Sequence, residues 1–228
     1  MIISKIKRKK ISYVLIIVGN VQFIILTIIA MFFYKGGTYI DNSTQAYLFW
    51  YNYFSDLGRT VAHSGIPNIV SWILFTVALS LWGILQIPFF IAFPHFFSSS
   101  KNLRMLSLIG STFGVFAGVC YIGIAFTPSN LLDNWHDIFV FLGFGSIFLS
   151  NILYSVVIFL KKDYSKFYAK ILIISVVILS TYFLILAFTR NINIATKLFI
   201  CVLGQKLMMY SILICGILQG YGAIRQER

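Results

Sequence analysis

Six acidic residues, eighteen lysines and arginines and three histidines are all the ionisable groups of this kind in a chain of 228 residues. With so few, the position of each one narrows the chemistry available. Asp56, Arg59 and His63 stand at i, i+3 and i+7, so a helical turn would bring all three onto one face. Asp133, His136 and Asp137 form a second group at the start of an apolar run, where carboxylates suit the positive end of a helix and Asp133 alternatively serves as an N-cap. Lys206 is the most costly residue. It sits roughly 13 Å inside the last apolar run at about 1.5 Å of rise per residue, and an ammonium near a bilayer centre costs about 2.5–3.5 kcal/mol. It is therefore expected to turn inward, beside Gln205, and pair with Asp56 or Asp137. Asp56 and His136 are the candidate general bases, and Lys206 and Arg59 are candidate contacts for an anionic group. His63 and His136 fall on one side of the membrane and His95 on the other, so the three cannot share a metal. Spacing alone does not support a zinc site either, and neither metal nor cofactor is expected.

Apolar runs must position these groups. The chain is 59% hydrophobic and 11% charged, against about a quarter charged in soluble domains. Its apolar residues fall in runs long enough to cross a hydrocarbon core about 30 Å thick. Lipid offers backbone groups no partner, and the runs lack the alternation of a barrel, which leaves helices. The expected fold is all-α: one polytopic bundle of six transmembrane helices at about 11–34, 67–93, 103–126, 135–160, 167–188 and 197–221. Pro67 is expected to open the second span, and Pro88 to kink it or end it early. The first apolar stretch is too long for a secretory signal and no small-x-small cleavage site follows it, so a retained anchor is expected.

A net charge of +12 would suit nucleic acid, but the basic residues lie between apolar runs and form no folded basic face. No nucleic-acid partner is expected. Counting Lys and Arg in the loops, thirteen fall with the amino terminus and four on the opposite face. This places both termini in the cytoplasm. The long segment 35–66 and the turn at 130–134 are then outside, in a bacterial or archaeal plasma membrane.

Two packing features accompany the polar residues. Gly110, Gly114 and Gly118 repeat every four residues and predict close approach of another helix, with the third span central in the bundle. Gly216 and Gly220 make a weaker version. The aromatic residues of 47–54 suit an interfacial belt or an amphipathic segment lying on the membrane. Cys120, Cys201 and Cys215 all fall in apolar runs and form no disulfide framework or metal spacing.

Three stretches, in order, resemble the uncharacterised membrane family called domain of unknown function 998. The first is Asn52-Tyr53-Phe54-Ser55-Asp56-Leu57-Gly58-Arg59-Thr60, with Asn68 and Phe75 downstream. The second runs from Gly118 to Pro128 and on to His136. The third is Gly204-Gln205-Lys206, with Lys where that family commonly carries Arg; the charge is kept but the planar fork is lost. The layout is more distantly similar to that of the damage-regulated autophagy modulator type of protein. The resemblance implies a six-span bundle with an outer polar site formed by Asn52, Ser55, Asp56, Gly58, His136 and Lys206. It supplies no activity.

The leading expectation is a non-enzymatic membrane protein whose outward polar pocket binds a lipid headgroup or small anionic ligand. Its lining would be Asn52, Ser55, Asp56, Arg59, His63, Asp133, His136, Asp137, Gln205 and Lys206. A lipid hydrolase or transferase using Asp56 or His136, and a small proton-coupled transporter, are the alternatives.

Overall fold

The computed structural model describes residues 2–227, with side chains from residue 9 onward except that of residue 190. The side chains of Lys5, Lys7, Arg8, Arg190 and Arg228, which the charge count uses, lie outside the described ones. Six helices carry the chain: α1 (Ile2–Phe33), α2 (Ile69–Ala92), α3 (Lys101–Ala125), α4 (Asp133–Leu160), α5 (Lys166–Phe188) and α6 (Ile194–Gln226). All six are long and apolar enough to cross a membrane, and no strand occurs among the described residues. The protein is an all-α, multi-pass membrane bundle.

Element ends depart from expectation where local bonding decides them. Pro67 does not open α2. It pairs with Val61 in an isolated bridge, closing a tight turn in which Ala62 N–H donates to Ile66 O at 3.0 Å, and the helix starts after Asn68. Pro88 does not end α2, which continues to Ala92 and then tightens into a 3₁₀ turn, Phe93–Phe97. Asp133 is not an N-cap. Leu132 holds that position, and Asp133 is the first helical residue, still beside the positive end.

Neighbouring helices pack antiparallel in chain order, and α6 returns against α1, so the six form a closed ring. The level-by-level contacts fix the directions: Tyr13 meets Phe89 and Phe23 meets Phe75, while Tyr182 meets Gly204 and Tyr168 meets Gly222. Both termini therefore lie at one end of the ring, the terminal end, and the long segment 34–68 lies at the other, the loop end. This corrects the central placing of α3, which packs between α2 and α4 as one member of the ring. Its glycines are shared between those neighbours. A Cβ on Gly118 would come within 2.8 Å of Gly83 O, and one on Gly83 within 2.5 Å of Gly118 O, so α2 and α3 touch backbone to backbone. Gly114 lies under the Phe90 ring, and Gly110 faces Tyr154 of α4. Gly220, against Tyr13 O of α1, closes the ring.

Segment 34–68 neither lies flat on the membrane nor forms a helical face carrying Asp56, Arg59 and His63. It turns back at Gly36 and Gly37, both at positive φ, where a Cβ on Gly37 would sit 2.2 Å from Ser64 N. It then sends a 3₁₀ turn, Phe54–Gly58, down into the mouth of the ring. Phe54 packs against Phe23 of α1 and Tyr210 of α6, with ring centroids 6.2 and 5.7 Å apart. Leu57 is fully buried. Of the aromatic residues expected at an interface, Trp50 and Tyr51 remain exposed and Phe54 is buried.

Candidate functional site

An irregular segment inserted among membrane helices brings unpaired backbone groups with it, and each needs a partner from the protein. The polar residues of α6 supply two. Gln205 Oε1 accepts from Phe54 N–H at 2.8 Å, and Lys206 Nζ donates to Asn52 O at 2.5 Å and to Tyr47 Oη at 3.2 Å. The Lys206 side chain is almost wholly buried (2% exposed). Its ammonium also faces the rings of Phe49, Tyr47 and Phe54 at 4.8, 5.3 and 5.3 Å from their centroids, an aromatic cage that favours a cation. The expected ion pair with Asp56 or Asp137 is thus absent: no carboxylate among the described residues lies within ion-pair distance of Lys206. The physical reason is that an inserted main-chain carbonyl and a phenol oxygen meet the ammonium first.

Asp56 serves the same segment from inside it. Its Oδ2 accepts from Tyr53 N–H at 2.9 Å and from Asn52 Nδ2 at 3.0 Å, and its Oδ1 stands 3.1 Å from His63 Nε2. Asn52, fully buried, is saturated: Nδ2 also donates to Gly37 O, and Oδ1 accepts from Leu48 N–H, both at 2.9 Å. Tyr47 shares its hydroxyl proton between Asn52 O and Tyr53 O. Burial raises its phenol well above the usual 10, as it raises that of Tyr53, so both stay neutral donors. Three groups thus occupy the Asp56 carboxylate and tie it to the inserted turn.

His136 is differently placed. It is buried at the first turn of α4, and its Nδ1 lies 2.7 Å from Thr127 O. A carbonyl only accepts, so Nδ1 carries the proton, and in the neutral ring Nε2 holds a lone pair. Pro128, with its neighbours, makes the short turn that sets this geometry, since Leu131 and Leu132 N–H both donate to Pro128 O at 2.9 Å.

A cavity of about 520 Å³ opens beside the inserted turn, inside the ring. Of the candidate site residues, Ser55, Asp56, Arg59, His63, Asp133, His136, Asp137 and Gln205 line it, and Lys206 and Asn52 do not. Arg59 Nε donates to Val61 O at 3.2 Å, which holds the guanidinium at the rim, and Asp133 and Asp137 are exposed there. The floor is apolar: Phe23, Phe75, Leu79, Phe144, Met208 and Met209. Sequence reasoning missed this floor, together with Tyr39, Tyr53 and Ser129 of the wall, because apolar residues facing a cavity and apolar residues facing lipid read alike. With Lys206 outside the lining, its ionisable groups are three carboxylates, one guanidinium and two imidazoles. No family model, no curated protein and no solved structure matches the chain.

Proposed function

We propose that this protein binds an amphiphile in the loop-end cavity, with a headgroup bearing an ammonium at the Asp133–Asp137 rim and an acyl chain on the Phe–Met floor. The cavity carries the reading: it is of ligand size by the usual range of roughly 300–1,000 Å³, charged at its mouth and apolar below. A volume of about 520 Å³ suits a headgroup and the upper part of one chain. A plain anion, expected while Lys206 counted as a contact, fits less well against three carboxylates. A zwitterionic headgroup fits, with its phosphate toward Arg59 and its amine toward Asp133 and Asp137. In this reading the loop end faces outward, both termini lie in the cytoplasm by their basic flanks, and the membrane is the plasma membrane. The likeness to domain of unknown function 998 is in accord with an outer polar site.

The test is mass spectrometry of lipids retained by the purified protein. Amine-bearing lipids or lysolipids should be enriched over the bulk membrane, and Asp133→Asn with Asp137→Asn should abolish the enrichment. A retained profile equal to the bulk membrane in both proteins would overturn the reading.

A second reading, a lipid hydrolase or transferase, is favoured by one observation: the Nδ1 bond of His136 to Thr127 O leaves Nε2 free to take a proton. It requires turnover of the retained lipid, lost in a His136→Asn variant that still folds.

A further inference from the structure

Four carboxamides, from four different helices, meet at one level of the ring beneath the cavity floor: Asn20 (α1), Gln86 (α2), Asn151 (α4) and Gln219 (α6). All four are at least nine-tenths buried. They line a second chamber of about 30 Å³, together with apolar and aromatic side chains that include Phe89, Phe90 and Tyr154. It lies one helical turn from the cavity floor on three helices: Asn20 below Phe23, Ile147 below Phe144, and Ile212 below Met208 and Met209.

The hydrogen bonds of these amides divide into two sets. Asn20 is satisfied within the protein: Nδ2 donates to Ile16 O at 2.6 Å, and Oδ1 accepts from Trp82 Nε1 at 3.0 Å. Asn151 Nδ2 donates to Ser175 Oγ at 3.3 Å. Gln219 Nε2 donates to Tyr168 O at 2.9 Å, which fixes the orientation of that amide and leaves Oε1 without a protein partner. Gln86 Nε2 likewise has none. Two of the amides that line the chamber thus hold one unmet acceptor, Gln219 Oε1, and one unmet donor, Gln86 Nε2, the latter beside Gly118 of α3, where neither lipid nor apolar side chains can serve them. No carboxylate, lysine, arginine or histidine lines it.

We propose that this chamber is a binding site for a small uncharged molecule that both accepts and donates hydrogen bonds, with water as its resident. The occupant accepts from Gln86 and donates to Gln219, and so completes two bonds with one molecule or a linked pair. The volume sets the scale: a water needs about 10–15 Å³ of such space, so the chamber holds two. An ion finds no counter-charge there, and an acyl chain would leave both amides unmet. The site is chemically separate from the amphiphile cavity above it and does not depend on that reading.

The experiment is pulsed X-ray hydroxyl-radical footprinting of the purified full chain, which oxidises side chains next to ordered water. Cys215 lines the chamber; Cys120 is as deeply buried and lines neither cavity. Cys215 should oxidise at least fivefold faster than Cys120 in the native chain. In a Gln86→Leu, Gln219→Leu double variant with an unchanged melting profile, the ratio should fall to about one. Equal rates for the two cysteines in the native chain would overturn the proposal whatever the variant does. So would a high ratio that survives in a folded double variant.

Discussion

Lys206 and Asn52 are 154 residues apart in the chain, and the ammonium of one meets the main-chain carbonyl of the other at 2.5 Å. That bond, with Gln205 Oε1 on Phe54 N–H, clasps the inserted turn to α6. Asn52 then passes the connection on through its side chain to Gly37 and Asp56. The basic residue deep in the last span is a fastening for the wall of the cavity and does not reach into the cavity itself.

Replacing Lys206 with Met should therefore loosen segment 34–68 and spare the helices. A hydrogen bond to a charged group contributes about 1.5–3 kcal/mol, and its loss leaves a buried carbonyl unmet. A change of about 2 kcal/mol in local opening raises cleavage in the open state roughly 30-fold. Limited trypsin digestion at Arg59 reads this directly. Lys206→Arg, which keeps charge and donors, should raise cleavage much less, and equal rates for Met and Arg would show that the clasp holds nothing.

High pH should release the same segment. Burial raises the phenols of Tyr34, Tyr47 and Tyr53 above 10 in the folded chain. Between 10 and those raised values the opened segment loses protons that the folded one keeps, so stability falls as pH rises, and it is fully present below pH 10. Absorbance of phenolate at 295 nm and trypsin cleavage at Arg59 should rise together above pH 10. Cleavage at Arg59 that stays flat or falls from pH 10 upward, after correction for the protease's own pH profile, would contradict the sign.

The α2–α3 contact should tolerate no added methyl group. Gly118→Ala places a Cβ 2.8 Å from Gly83 O, backbone against backbone. Overpacking of this kind costs about 1–3 kcal/mol. Gly145→Ala in α4 meets nothing within 4 Å and should be neutral or stabilising by up to about 1 kcal/mol, since Ala is the better helix former. Melting of the two variants in the same detergent, with Gly118→Ala the lower, checks the pairing of these faces.

Particular residues show how far the sequence carried the argument. Runs of apolar residues located all six spans, because backbone polarity in lipid leaves a chain so little choice. Burial cost picked out Lys206 correctly but not its partner. A buried ammonium requires an acceptor, and an irregular main chain that supplies its own carbonyl has no sequence signal. The stripe at Gly110, Gly114 and Gly118 signalled close approach but not which neighbours shared it, and those depend on the closure of the ring by α6 on α1. Asn20, Gln86, Asn151 and Gln219 were visible as carboxamides in apolar runs. Only the antiparallel packing puts them on one level.

His136 offers the sharpest separation of structure from ligand chemistry. An asparagine amide places its nitrogen near the position of imidazole Nδ1, so His136→Asn keeps the donation to Thr127 O while removing Nε2 from the cavity. His136→Ala removes both and leaves a buried carbonyl unmet, at a cost of about 1–3 kcal/mol. Melting should thus order the proteins native, Asn, Ala, with Asn within about 1 kcal/mol of native. Any change in retained lipid or in turnover should already be complete in the Asn variant, because the bond to Thr127 O occupies Nδ1 and leaves Nε2 as the nitrogen of His136 available to a ligand. If retention and turnover change only in Ala, in step with melting, His136 acts through the turn that it holds and not through the ligand.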